Sequence, residues 1–436
     1  MTGSLLQLVA VGNEDIFITG NPQITFFKAI YKRFSNFSME NIDVVFANLD
    51  KRLSYDNPIR LYATIPKDAD LISNIFLKLN LPEITTSNTN NIRWIRDIGT
   101  AIINYVKIFI GGQLIEELKG DYITAYYKTT LNNSKLETFN DMVGNIPELY
   151  SPEVSDIENT INDRTLFIPL PFWFSKHIGV ALPICAITNQ EIRLEIELKP
   201  IKELYIKLDN FTLKNRESDI ENWKLNPILD VNYIFVDDNE KQGLKSKAYN
   251  SLIEIINYRE FIGKSGSVNL QVEMFHPTKD IIILARRDDV RTRNQHTNYT
   301  NLDSMDNDWL YRPNPVNINN YKFFTDSIIN SIEIKFNGDI RLSERTYDYF
   351  NKIQPYMHYK NTFPGLNIYS FSINPDKYQP SGACNFTEIR KIELILNMKS
   401  PKLYESLSYD YDVMVFTTTY NIFKIEDGLC KLVYNM

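Results

Sequence analysis

Four histidines, three cysteines and 54 carboxylates are the residues of this 436-residue chain whose types could carry catalysis or hold a metal. A divalent metal needs three or four converging ligands, announced in sequence by His-x-His pairs or closely spaced cysteines. His177, His276, His296 and His358 stand singly. Cys185, Cys384 and Cys430 are odd in number and far apart, so neither a disulfide framework nor a zinc motif is indicated and a reducing compartment fits best. The expectation is no catalytic residue, no metal and no cofactor. Ser381 sits in "NPDKYQPSGACNF" (374–386), where no nucleophile-elbow pattern or nearby base surrounds it. That stretch reads as a fixed turn. Pro375 and Pro380 stop strand pairing, Gly382 permits a positive φ, and Asn385 can bond neighbouring backbone, so the turn would position a strand starting near Thr387.

A second chemistry, apolar and basic, is concentrated in "TGNPQITFFKAIYKRF" (19–34). Asn21 can cap a helix and Pro22 suits its first position. Ile24, Phe27, Tyr31 and Phe34 then recur at three- and four-residue steps, and Lys28, Lys32 and Arg33 flank the stripe. A membrane surface, a nucleic-acid backbone, another protein or the chain's own core could cover such a face. The net charge of −7 argues against a protein that coats nucleic acid. The densest basic cluster, "RRDDVRTR" (286–293), encloses Asp288 and Asp289 and reads as a solvated loop. The start "MTGSLLQLVAVGNED" lacks the features of a signal peptide, and no run approaches the ~18 apolar residues of a membrane span, so a soluble, non-secreted chain is expected. The Asn-x-Ser/Thr triplets at Asn36, Asn132, Asn210, Asn298 and Asn385 then read as chance in an Asn-rich chain.

The elements that must carry these residues are strands. Tyr and Phe number 26 and 25, which favours β structure. Val106, Ile108 and Ile110 share a face, as do Ile192, Leu194, Ile196 and Leu198 with Arg193, Glu195 and Glu197 opposite. Ile332, Ile334 and Phe336 alternate with Glu333 and Lys335, and Tyr409, Tyr411, Val413 and Val415 repeat the habit. These are half-buried antiparallel strands. Polar stretches at 83–91 and 298–320 read as long loops.

A chain above the roughly 250–300-residue ceiling for one core is expected to hold two domains, and three matches in order support a duplication. "ATIPKDADLI" (63–72) resembles "EMFHPTKDII" (273–282), "VKIFIGGQLIEE" (106–117) resembles "IEIKFNGDIRLSE" (332–344), and "EIRLEIEL" (191–198) resembles "EIRKIELIL" (388–396). Pro66 to Pro277 is 211 positions, Gly112 to Gly338 is 226 and Glu191 to Glu388 is 197. Two copies of one β-domain near 200 residues explain those offsets. The expected fold is all-β: two tandem eight-stranded jelly rolls, a double jelly roll with short helices in loops. The expected division is 1–34 as a docking segment, 35–206 and 228–436 as the jelly rolls, and 207–227 as linker.

"LLQLVAVGNEDIFITGNPQITFFKAIYKRFSNFSME" (5–40) closely resembles the amino-terminal signature of the double jelly-roll major capsid proteins of nucleocytoplasmic large DNA viruses. "FIPLPFWF" (167–174) and "ALPICAI" (181–187) resemble that family's first domain, while "NGDIRLSERTYDYFNKIQPYMHY" (337–359) and "IYSFSINPDKYQPSGACNFTEI" (368–389) resemble stretches of its second. The resemblance implies a homotrimer whose six jelly rolls make a pseudo-hexagonal capsomer, tiling an icosahedral virion shell over an internal membrane and assembled in the host cytoplasm. Neighbouring capsomers, minor capsid proteins and the inner membrane surface are the implied partners, with no direct nucleic-acid contact. A minor capsid, cement or vertex protein is the alternative. A jelly-roll carbohydrate-active enzyme is a remoter one, because its two carboxylates are defined by separation in space and no motif here marks them.

Overall fold

Among the described residues, sixteen of the strands fall into two equivalent sets. The computed structural model describes residues 3–47, 53–87, 92–150, 158–207, 223–246, 248–291, 294–302, 326–400 and 409–434. It forms two units, Met1–Asn36 and Phe37–Met436. In the larger unit the first set is β1 (Phe37–Val45), β2 (Ile59–Thr64), β3 (Leu71–Leu81), β4 (Ile103–Ile110), β5 (Gln113–Lys119), β6 (Arg164–Pro169), β7 (Ile192–Leu198) and β8 (Ile228–Val236). The second is β9 (Tyr249–Lys264), β10 (Ser267–Gln271), β11 (Pro277–Arg287), β12 (Ile329–Phe336), β13 (Asp339–Thr346), β14 (Leu366–Ser370), β15 (Ile392–Met398) and β16 (Tyr411–Glu426).

The sheet orders are β1-β8-β3-β6 and β2-β7-β4-β5 in the first set, and β9-β16-β11-β14 and β10-β15-β12-β13 in the second. Each neighbour relation in the first recurs in the second with eight added, the topology of two eight-stranded jelly rolls. The sequence matches fall on equivalent strands. Pro66 and Pro277 lie at the entries to β3 and β11, and Glu191 and Glu388 precede β7 and β15. The β4–β5 and β12–β13 hairpins turn on Gly111-Gly112 and Asn337-Gly338, whose φ values are +59, +81, +52 and +92. Two consecutive positive φ values are what a tight hairpin needs to match strand twist.

One boundary differs from expectation. β8, expected to open the second jelly roll, closes the first: Met39 pairs with Ile234 and Val44 with Leu229, and β8 also pairs with β3. Trp223 and Leu225, expected in the linker, are buried in the first core, where the Trp223 indole N–H donates to Asn80 O (2.8 Å) and its ring lies 5.2 Å from Trp94. The last strand of a jelly roll lies beside its first, so the polar stretch marks a loop within one barrel. Residues 208–222 of that stretch lie outside the described residues. The passage between halves runs through α5 (Asp238–Ser246), where Lys241 reaches Asp70 (2.6 Å). Of the expected loops, Ile84–Ser87 is a short strand paired with Glu158–Ile161, and 88–91 and 303–320 lie outside the described residues.

In the smaller unit α1 (Gly3–Val9) and α2 (Ile16–Thr19) form, but the helix expected from Asn21 does not. No helix runs from 20 to 36, and Asn21 has φ +51 rather than the extended backbone of a cap. Pro22 keeps the preceding residue out of the right-handed helical region. The run Ile24, Thr25, Phe26, Phe27 is β-branched and aromatic, and a short helix in water needs a packed face that these residues lack. The helical stripe is therefore replaced by an irregular apolar run. Between α2 and α5, α3 (Gly120–Thr130) and α4 (Asn133–Met142) lie in the loop from β5 to β6. No helix among the described residues is long and apolar enough to cross a membrane.

Candidate functional site: an exposed segment, a fixed turn and a buried seam

The expected docking residues are exposed without exception. Phe27 is 99%, Tyr31 82%, Phe34 83% and Ile24 63% accessible, joined by Phe26 at 91%, and Asn21, Pro22, Lys28, Lys32 and Arg33 are also exposed. None of residues 3–36 is buried.

The expected turn is built as a hydrogen-bonded cage. Gly382 has φ +133, and a Cβ there would sit 2.9 Å from Phe371 O, so both backbone strain and space exclude a side chain. The Ser381 hydroxyl is 2.6 Å from that of Ser372 and accepts from Asn374 N (2.9 Å). Asn385 Oδ1 accepts from Thr387 N (3.1 Å), and Pro380 is exposed. Cys384–Asn385 pairs with Pro277–Thr278, tying the turn to β11. A 3-10 turn occupies Phe386–Glu388, and the strand that follows begins at Ile392 rather than near Thr387.

Sequence reasoning missed the seam between the jelly rolls. Glu254 on β9 is buried between Lys279 (2.5 Å) of β11 and Lys176 (3.3 Å) of the first jelly roll. Burial pushes its carboxyl up, but the two ammonium groups outweigh that and hold it below the ordinary range. Lys279 also donates to Pro375 O (2.7 Å), linking this cluster to the turn. Glu116 on β5 is fully buried, accepts from Trp173 N (3.2 Å), and has its carboxyl pushed up to about 8 by burial. Burial likewise raises Asp280, which accepts from the Tyr359 hydroxyl (2.8 Å). Around these charges the seam is apolar: Phe416 of β16 lies 5.8 Å from Tyr122 of α3, and Phe423 lies 5.6 Å from Trp173. One hydrophobic cluster runs from the first barrel's core across to Ile253, Ile255, Met414 and Phe416, while Val413, Val415 and Leu394 belong to a second core.

"RRDDVRTR", expected as a solvated loop, begins inside this structure. Arg286 and Arg287 end β11 and are buried. Arg286 Nη1 donates to His296 O (3.0 Å) and lies 3.5 Å from Asp121 of α3. Arg287 makes a fork onto Asp289 and stacks 3.7 Å from the Tyr409 ring. Arg287 and Asp289 satisfy one another, while Asp288 is exposed and accepts from Asp410 N (3.2 Å); Arg291 side-chain placement and residues 292–293 lie outside the description.

The four histidines are separate. His177 accepts from Gly179 N and stacks on Tyr378, His276 sits at φ +72, His296 bonds Glu203 O and His358 bonds Ile373 O. Among the described residues no three His, Cys, Asp or Glu converge on a metal position. Asn132, Asn298 and Asn385 each use their side-chain amide in local hydrogen bonds.

Residues 25–237 match the family model for the major capsid protein N-terminus, and residues 240–430 match that for the large eukaryotic DNA virus major capsid protein. The two ranges meet at the end of β8, the boundary that strand pairing gives. The chain is 27% identical to the major capsid protein of Phaeocystis pouchetii virus and 27% identical to that of Pyramimonas orientalis virus, each over 100% of both chains. A solved structure described as a quasi-atomic model of the PBCV-1 virus capsid shares the fold at TM-score 0.74 and 21% identity, over 94% of this chain and 100% of that one. With both halves matched in order and the double jelly roll in place, the chain belongs to the major capsid protein family of large eukaryotic DNA viruses.

Proposed function

We propose that this chain is the face-filling unit of an icosahedral virion shell, a homotrimer whose six jelly rolls form one pseudo-hexagonal capsomer that packs against neighbouring capsomers. The observation that carries this reading is the seam. It welds two topologically equal barrels into one body through a continuous apolar cluster, so three chains present six similar lobes. A vertex protein needs one lobe per chain, which disfavours that alternative. The chain acts by assembly and not by catalysis, in the virion, after assembly in the host cytoplasm. The exposed run from Ile24 to Phe34 grips a neighbouring subunit or a minor capsid protein, with Lys28, Lys32 and Arg33 toward an anionic inner membrane at about 1 kcal/mol each.

Native mass spectrometry tests the trimer. The chain mass of 50.9 kDa gives 3 × 50.9, or about 153 kDa, for the assembled species. A persistent monomer at micromolar concentration overturns the reading, since an obligate interface of this kind buries more than ~2,000 Å².

A further inference from the structure

The seam inside the chain joins two unlike surfaces. The first jelly roll contributes a side, made of the edge strand β5, helix α3 and the loop after β6, whose Trp173 meets Phe423. The second contributes a face, the outward side of β9 and β16, where Tyr258 and Phe416 are paired and their rings lie 5.0 Å apart. Lys119, at the end of β5, sits 5.4 Å from the Tyr258 ring, and Tyr122 of α3 lies against Phe416. The far end of α3 is closed too, because Lys360 N (3.0 Å) and Asn361 N (3.2 Å) both donate to Thr129 O.

The duplication gives each chain a second copy of both surfaces, and within one chain both are open. Strand β13 has no buried residue, whereas Ile115, Glu116 and Leu118 of β5 are buried. The helical turns Tyr349–Ile353 and Gln354–His358 follow β13 as α3 follows β5, yet Ile353, Tyr356 (90%) and Met357 are exposed. Ile373, in the loop after β14, is 70% exposed and is held beside these turns by His358 Nδ1, which donates to Ile373 O (3.0 Å). The receiving face recurs in register. The offset of 211 that carries Pro66 to Pro277 also carries Leu71 to Ile282. Leu71 pairs with Ile234 and Ile234 with Met39, as Ile282 pairs with Phe416 and Phe416 with Tyr258. Met39 therefore occupies the position of Tyr258, but is 47% exposed. The offset of 226 that carries Gly112 to Gly338 carries Lys119 to Arg345. Charge is complementary as well: Arg341 and Arg345 are exposed on β13, and Glu40 and Asp43 are exposed on β1.

We propose that the open side of the second jelly roll docks on the open β1–β8 face of a second copy of this chain, so that the contact between chains repeats the seam within one. This inference rests on the trimer reading above and specifies its interface. Arg345 comes to Met39 as Lys119 comes to Tyr258, and Ile353, Tyr356, Met357 and Ile373 are covered as α3 and Trp173 are. Two unlike surfaces make a heterologous contact, which closes as a ring or runs on as a filament. The six-lobed ring then contains three internal seams and three contacts of this kind.

Native mass spectrometry of full-length variants tests the interface. Met39→Lys sets like charges together and raises the concentration at which the trimer dissociates at least ~10-fold. Adding Arg345→Glu to the same chain restores the trimer. Tyr356→Asp/Met357→Asp dissociates it from the other surface, and circular dichroism shows both variants folded, since the replaced side chains are exposed. A mixture of the Met39→Lys chain with the Tyr356→Asp/Met357→Asp chain has one intact contact per pair, giving a species of 2 × 50.9, or about 102 kDa, that grows no further. The control Ile262→Asp, past the seam at the end of β9 and already exposed, keeps the trimer. A trimer that persists in both variants, a failure of Arg345→Glu to rescue Met39→Lys, or an equal loss in the control overturns this interface and leaves the trimer standing. A monomeric parent overturns the trimer reading and the interface with it.

Discussion

The sheet β1-β8-β3-β6 and its counterpart β9-β16-β11-β14 have the same strand order, yet their outer faces meet different surroundings. In the first sheet the faces differ in the usual way. Leu229, Val231 and Tyr233 of β8 are buried, while Asp230, Asn232 and Phe167 of β6 lie outward, with Asn41, Asp230 and Asn232 hydrogen-bonded along the surface (2.6–2.7 Å). In the second sheet eleven consecutive residues of β16, Tyr411–Asn421, are buried, so both faces are covered. Val413 and Val415 fill its own barrel, and Met414 and Phe416 fill the seam. One topology thus serves as a wall in one copy and as an internal partition in the other. The difference lies in the seam-facing side chains, not in the backbone.

The largest expected effect tests that contrast directly. Phe416→Asp places a charge in the seam and removes a fully buried ring, so the loss should exceed the ~3–5 kcal/mol of a Phe→Ala core truncation. Phe167→Asp, on the outer face of the first sheet, should cost about 1 kcal/mol or less. Urea unfolding of both variants measures the difference. Comparable losses would mean that the two sheets are equally enclosed and the contrast is void. Next in size is Glu254→Ala, which removes the carboxylate that the buried Lys176 and Lys279 share and should cost ~3–5 kcal/mol by the same measurement. Replacing all three groups together with Met should recover most of that loss. A Glu254→Ala variant as stable as the parent would show that water reaches the seam.

Glu116 gives a smaller, pH-dependent effect. Its carboxyl titrates near 4.5 when unfolded and is raised to about 8 when folded. The folded state therefore binds the extra proton, and the stability this contributes is fully present below about pH 4.5 and lost as pH rises through about 8. The slope reaches at most ~1.4 kcal/mol per pH unit. Glu116→Gln keeps the acceptor for Trp173 N and removes the titration, so its stability advantage over the parent should grow between pH 6 and pH 9. Parallel pH profiles for the two proteins would place Glu116 in contact with solvent.

These comparisons show what the sequence made legible. Alternation in Val106-Ile108-Ile110 and Ile192–Leu198 announced strands because those strands have one wet face. The duplication was readable because hairpin turns and strand entries need particular residues, Gly112 and Gly338 or Pro66 and Pro277, at fixed places in the topology. The cage around Gly382 was readable for the same reason. The seam was not, because β16 departs from alternation: reading Tyr411, Val413 and Val415 captures one face, while Met414 and Phe416 between them signal a second buried face only as a continuous apolar run. Glu254, Lys176 and Lys279 are distant in sequence, so no spacing ties them together. The boundary at β8 was missed because a loop of polar residues looks the same within a barrel as between barrels.

The smallest expected effect on stability belongs to the segment whose local reading changed most. Residues 3–36 bury no side chain, and the apolar run from Ile24 to Phe34 forms no helix. If Ile24, Phe27, Tyr31 and Phe34 were core, their removal would forfeit roughly 1.5–3 kcal/mol each. Their exposure instead predicts that deleting 1–34 leaves the urea midpoint of the jelly rolls unchanged within error. The same exposure sets a cost on the free segment, since so much aromatic surface in water favours any partner that covers it. Any partner that orders this irregular segment meets an entropic cost in doing so. The truncated protein should therefore remain folded and trimeric by native mass, yet fail to form closed shells or retain minor capsid proteins in reassembly followed by sedimentation. A truncated chain that precipitates unfolded makes the segment part of the core; one that still closes shells removes its docking role and leaves the two jelly rolls sufficient for assembly.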